Sequence, residues 1–109
     1  MSVEEVKVID FVTITAGGDY LLTIADHLPW ESKEHLFILQ EKLNTYISFI
    51  ESNEIYDLYP EARGCKIIIN LMYKYPLNGT NELKFLKEVE NALKNIGIVF
   101  KWEHSSIDS

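Results

Sequence analysis

Two of the three histidines lie eight residues apart in the stretch DHLPWESKEH, residues 26–35. Asp26 directly precedes His27, and a glutamate directly precedes His35. Carboxylate and imidazole groups serve in general acid–base catalysis and are common zinc ligands. The stretch therefore raises two chemical hypotheses. One is an acid–base pair of Asp26 and His27. The other is a metal site formed by Asp26, His27 and His35, or by these two histidines with His104.

The same residues also fit a purely architectural role. The HExxH-type spacing that would place metal ligands on one helical face is missing. An aspartate at a strand end commonly accepts backbone N–H bonds in an Asx-turn. Trp30 would then pack over the joint and find a partner for its indole N–H. We interpret the stretch as a strand-to-helix joint and expect no metal or cofactor.

A second group of residues has the composition of a recognition patch. It contains tyrosine and arginine, which are enriched in binding hot spots; its members are Tyr56, Tyr59, Arg63, Lys74 and Tyr75. The alternative is that the tyrosines cover a sheet edge with their hydroxyls in water. No nucleophile elbow or phosphate-binding glycine loop is present in the sequence.

The elements that must position these residues follow the order ββαβαβ. Period-two patterns and the Gly17-Gly18 hairpin signal predict strands over residues 6–15, 20–26, 65–75 and 98–104. Three- and four-residue spacing predicts a helix over residues 31–52, with Glu31 or Ser32 at its start. A short helical turn is expected near residues 55–59. A second long helix is expected from Thr80 or Asn81, ending at Gly97.

Right-handed crossovers place both long helices on the same face of the sheet. The predicted fold class is therefore α+β, a two-layer α/β sandwich with a four-stranded mixed sheet and two helices on one face. The strand order 1-2-3-4 fits this path. The residues expected to be nearly fully buried are Leu39, Leu43, Ile47, Ile67, Ile69, Leu71, Leu86, Val89 and Leu93.

Composition limits the classes of partner. The chain has 109 residues, which fits a single domain over residues 1–109 with an ordered core of about 6–104. Its net charge is −7 and its only arginine is Arg63, which disfavours nucleic acid and anionic membranes. It lacks a signal-like apolar segment and a membrane-length apolar run, so a cytoplasmic location is expected. One cysteine, Cys65, excludes an intrachain disulfide.

Several stretches resemble a family of small bacterial proteins of unknown function. They are Asp26-His27-Leu28 with Trp30, the helical turn Gln40-Glu41-Lys42-Leu43-Asn44, and Lys74-Tyr75-Pro76. The resemblance covers the chain from about Val6 to Trp102. It supports the predicted fold and implies no catalytic residue.

Together these observations favour a non-enzymatic protein-interaction module. The expected partner is a second copy of the chain, forming a homodimer, or another protein. Ile68 and Met72 on the central strand point away from the helices and are the interface candidates, because an apolar patch on that face would need cover. The alternative is a small enzyme or a ligand- or metal-binding domain that uses Asp26, His27 and His35.

Overall fold

The computed structural model describes residues 6–9, 11–77 and 79–104, which form one sheet with helices packed on it. The strands are β1 (Phe11–Ile14), β2 (Tyr20–Asp26), β3 (Ile67–Tyr73) and β4 (Val99–His104). The helices are α1 (His35–Glu51), α2 (Glu54–Leu58) and α3 (Thr80–Lys94), with a 3₁₀ turn at Pro60–Ala62. The predicted element order is confirmed, including the short helical turn that is now α2.

The four strands lie in the order β1-β2-β3-β4. β1 is antiparallel to β2, whereas β2, β3 and β4 are mutually parallel, so the sheet is mixed. Between β1 and β2, the Thr15 N–H donates to the Asp19 carbonyl at 2.8 Å. Gly18 takes a φ of 89° in this turn, a left-handed conformation that glycine adopts without strain.

One face of the sheet forms the core with the helices. Alternate residues of β2, β3 and β4 join the helix side chains in a single buried cluster. Ile68, which lies between two members of that cluster along β3, is not part of it. Because successive strand residues point to opposite faces, the helices cover one face and Ile68 lies on the other.

Seven of the nine predicted core residues are buried; they are Leu39, Leu43, Ile67, Ile69, Leu71, Leu86 and Leu93. Ile47 and Val89 are only half-buried, contrary to the prediction. Both line a groove of about 190 Å³ between α1 and α3, whose buried lining residues include Leu43 and Leu93. Ile47 and Val89 therefore lie at its solvent-facing rim.

α1 begins at His35, four residues later than predicted. Residues 31–34 form turns in which the His35 N–H donates to the Ser32 carbonyl at 3.2 Å. The first helical bond runs from the Ile38 N–H to the Glu34 carbonyl at 2.9 Å. At α3, Gly79 is the N-cap and no side chain caps the helix. The residues predicted to cap the long helices are Glu31 or Ser32 for α1 and Thr80 or Asn81 for α3. None of these four side chains caps its helix.

The first strand is also shorter than predicted, because β1 begins at Phe11. The described residues before it, 6–9, lie against α1 instead. The Lys42 ammonium donates to the Val8 carbonyl at 2.6 Å, and the Thr45 hydroxyl donates to the Val6 carbonyl.

Of the helices in the described ranges, none is long and apolar enough to cross a membrane.

Candidate functional site

The candidate site lies where the parallel strands end. Asp26 of β2 is level with Tyr73 of β3, which is level with His104 of β4. In open sheets with parallel strands, ligands bind outside the carboxyl ends of the strands. This edge is thus where chemistry would be expected, and it is also where the predicted joint places Asp26.

Asp26 pairs with His35 and not with its neighbour His27. The Asp26 Oδ2 atom lies 2.5 Å from His35 Nε2, and both residues are at most 2% exposed. His35 Nδ1 lies 3.1 Å from the carbonyl of Pro29. A carbonyl can only accept, so Nδ1 carries a hydrogen and the other ring nitrogen shares a proton with the carboxylate. Both ring nitrogens are therefore engaged.

The remaining atoms of this joint match the architectural prediction. Asp26 Oδ1 accepts the Leu28 N–H at 3.1 Å, which is the expected Asx-turn. Trp30 is 6% exposed and its indole N–H donates to the Tyr75 carbonyl at 2.8 Å. Its ring lies 4.2 Å from the His35 ring between centroids, so the indole covers the imidazole.

Tyr73 and His104 continue the row toward β4. Their rings are 5.7 Å apart, and the Tyr73 ring meets Trp30 edge-on at 5.8 Å. Burial raises the pKa of the Tyr73 hydroxyl above its ordinary value of 10.0, so the phenol stays neutral near pH 7. His104 Nε2 donates to the Lys74 carbonyl at 2.9 Å, so this histidine is anchored to the backbone.

This arrangement can hold a strand, a turn and a helix together, but Asp26 and His35 are closed off from solvent. His27 is exposed, because successive residues at a strand end point to opposite sides. The three predicted metal ligands therefore do not converge. Within residues 6–9, 11–77 and 79–104, no group of three or more His, Cys, Asp or Glu side chains is placed to hold a metal ion.

The predicted recognition patch is divided between the two ends of β3. Arg63 lies 4.6 Å from the Tyr56 ring, and Tyr59 meets the Tyr20 ring at 6.0 Å; both contacts precede β3. Lys74 lies 5.6 Å from the Tyr75 ring, beyond the carboxyl end of β3. The seven residues of β3 separate the contacts before the strand from the contact after it, a distance of about 20 Å at the usual rise per residue.

One residue with unusual surroundings was not singled out in the sequence. Lys42 is fully buried, and its ammonium lies 5.8 Å from the centre of the Tyr46 ring. A signal for it exists, since Lys42 is three residues after Leu39 and four before Tyr46. That spacing places it on the buried stripe of α1.

The fold and this site define a two-layer α+β protein with a buried aspartate–histidine pair at the carboxyl edge of its parallel strands. The chain belongs to a family of unknown function (DUF6572), whose model matches residues 1–106. The predicted resemblance to a family of unknown function is thus confirmed. Neither the curated proteins nor the solved structures give a match to the chain.

Proposed function

We propose that this chain is a non-enzymatic protein-interaction domain that binds its partner on the β1 side of the sheet. The observation that carries the proposal is Phe11. It is 48% exposed in the first strand of the sheet, where aromatic side chains are usually packed. An exposed aromatic residue on a sheet is a frequent anchor of protein interfaces.

The uncovered sheet face supplies the surroundings of this anchor. Phe11 is level with Thr23, on the side away from the core. On the same face, Leu21, Ile68 and Val99 form a level row across β2, β3 and β4. This apolar row is level with Thr13, whereas the row of Phe11 continues through Thr23, Asn70 and Lys101. Phe11 therefore lies where apolar side chains meet a polar rim, as in the usual interface.

The two interface candidates from the sequence differ in what they can offer. Ile68 is only 5% exposed, although it lies on the face away from the helices. Met72 is half-buried. Loss of solvent-exposed area on binding is therefore larger for Phe11 than for Ile68, and the centre of the proposed surface moves from β3 toward β1.

The surroundings of the aspartate–histidine pair also support a non-enzymatic function. Catalysis needs a titratable group that can reach a substrate, either directly or through one water. His35 is 0% exposed and uses both ring nitrogens within the chain. These contacts support an architectural role for the pair.

A photo-crosslinking experiment tests the proposal. A photoreactive phenylalanine analogue replaces Phe11 in one variant and Phe37 in another, and each is irradiated in cells of the native host. Phe37 is a matched control, because it is 67% exposed on α1 and lies away from the sheet. We expect a discrete protein adduct at position 11 and none at position 37. Equal labelling at both positions, or none at position 11, would contradict the proposal.

A further inference from the structure

We propose that the partner is a second copy of this chain, whose β1 strand pairs antiparallel with β1 about a two-fold axis at Thr13. The inference rests on the proposed function and specifies its partner, which meets the β1 side of the sheet at the strand edge beside Phe11. Its starting observation is an edge: among the described residues, β1 pairs with β2 alone. An edge strand presents a row of backbone donors and acceptors to any strand that can reach it.

Two backbone bonds show which groups of β1 point outward. The Thr15 N–H donates across the hairpin to Asp19, so Thr15 faces β2. The Tyr20 N–H donates to the Lys66 carbonyl on the β3 side, so the next residue of β2 faces β1. Orientation alternates along a strand, and the register is continuous. Thr13 therefore bonds toward β2, whereas the N–H and C=O groups of Val12 and Ile14 point to the open edge.

These four outward groups fix the register with a second copy. In antiparallel pairing, a bonded pair exchanges two N–H···O=C bonds, and bonded and non-bonded pairs alternate. If Val12 of one copy lies opposite Ile14 of the other, both residues form bonded pairs in both copies. Thr13 then faces its own symmetry mate as the non-bonded pair on the axis. All outward groups of the strand are used, and the two four-stranded sheets become one.

The side chains of β1 are self-complementary in this register. Val12 meets Ile14 on the helix side of the sheet, and each is β-branched, which suits cross-strand packing. On the other face, Phe11 lies opposite Thr15 of the second copy. Ile14 is 58% exposed in the single chain, so pairing removes apolar area of both Ile14 and Phe11 from water. A strand from an unrelated protein has no such built-in symmetry.

Charge also selects this edge. Two chains of net charge −7 repel each other, so they must meet where like charges are missing. The strand β1, FVTI, carries no charged residue. The other edge strand, β4, carries Lys101, Glu103 and His104, the kind of charged edge that discourages strand pairing.

The first test measures mass in solution by analytical ultracentrifugation at micromolar concentration. We expect about twice the chain mass of 12.6 kDa for the unmodified chain. Thr13→Lys places two ammonium groups against each other on the axis, and should return the mass to 12.6 kDa. Phe37→Lys makes the same change in charge on exposed α1 surface, and should leave the dimer intact. Circular dichroism checks that both variants are folded.

The second test reads the register. Non-bonded antiparallel pairs have Cα atoms about 4.5 Å apart, within the range that a disulfide spans. In a Cys65→Ser background, Thr13→Cys should form an intermolecular disulfide on mild oxidation. Lys101→Cys, exposed on β4, is the control and should remain monomeric on a non-reducing gel.

The outcomes separate this inference from the proposed function. A monomer in solution, together with a position-11 adduct to a different protein, would overturn the second copy and keep the interaction domain. A dimer that Thr13→Lys leaves intact, or that Lys101→Cys links as readily as Thr13→Cys, would overturn the β1 pairing. A monomer with no adduct at position 11 would overturn both.

Discussion

At the residue scale, the Asp26 carboxylate holds two groups at once, the Leu28 N–H and the His35 ring. Asp26→Ala leaves the Leu28 N–H without its acceptor and the buried His35 Nε2 atom without its partner. We expect the free energy of unfolding to fall by about 1–3 kcal/mol, the usual cost of unpaired buried donors. Urea unfolding measures it, with exposed Lys33→Ala in the turn before α1 as the control, for which we expect a change within about 0.5 kcal/mol. Unchanged stability together with loss of a measurable activity would move the pair to a functional role.

Tyr73 provides a second residue-scale prediction. Burial raises the pKa of its hydroxyl, so the folded chain keeps this proton to higher pH than the unfolded chain. Below the ordinary value of 10.0 both states are protonated and the effect is constant. Above it the unfolded state ionises first, and stability falls as pH rises through the folded pKa.

Tyr73→Phe should remove that dependence. Urea unfolding compared at about pH 9 and about pH 11, on either side of the usual tyrosine value, measures the change. The unmodified chain should lose more stability over this interval than Tyr73→Phe. An equal loss in the two proteins would show that Tyr73 ionises without cost in the fold.

The residue scale also shows what the sequence could reveal about the site. Asp26, Trp30 and the Asx-turn were predictable, because strand-end aspartates and indole groups have few ways to satisfy their polar atoms. The pairing of Asp26 with His35 was not, although strand alternation already argued against His27. Its geometry depends on the path of residues 27–34, which no periodic pattern describes.

At the element scale, the hairpin between β1 and β2 allows a matched comparison of two adjacent glycines. Gly18 has a φ of 89°, and a Cβ there would meet no atom within 4 Å. Gly18→Ala therefore tests conformation alone, and should lower stability by about 1–2 kcal/mol. Gly17, which lies outside the left-handed region, should tolerate alanine with little change. Thermal unfolding of the two variants makes the comparison, and equal effects would contradict it.

The two long helices give the next element-scale prediction. Leu43 is 3% exposed in the core, so Leu43→Ala should lower the free energy of unfolding by about 2–5 kcal/mol. Ile47 lies one turn further along α1 and is only half-buried, although both residues line the groove beside α3. Ile47→Ala should therefore cost less than Leu43→Ala in the same urea measurement. A larger cost at Ile47 would mean that the helices close over it in solution.

Element types were predictable to a greater extent than element ends. Periodicity identifies the face of α1 that packs on the sheet, and it located β2, β3 and α3 closely. The start of α1 depends instead on Trp30, whose bond to Tyr75 joins the connection to the end of β3. The two residues are 45 positions apart in sequence, so the local spacing of apolar residues cannot predict their contact.

At the scale of the whole molecule, the arrangement of helices and sheet in two layers was predictable from the sequence. It depends on the handedness of the crossover connections and not on the packing of individual side chains. Two right-handed crossovers from β2 to β3 and from β3 to β4 place α1 and α3 on one face. The exposure of individual residues on the other face depended on neighbours in three strands. Ile68 was therefore expected to be exposed and is buried, while Phe11 on the same face is exposed.

The net charge of −7 leads to the last prediction, the effect of salt on the proposed dimer. Two such chains repel, and ions screen this repulsion over a Debye length of about 10 Å at 0.1 M. Pairing at the uncharged β1 edge forms no ion pair that salt could weaken. The dissociation constant should therefore fall as ionic strength rises from about 0.01 M to about 0.15 M. Phe37→Lys, with a smaller net charge, should show a weaker dependence in the same sedimentation experiment. Dimerisation through β4 would use Lys101 and Glu103, and salt would then weaken it, so a rising dissociation constant would rule out the β1 edge.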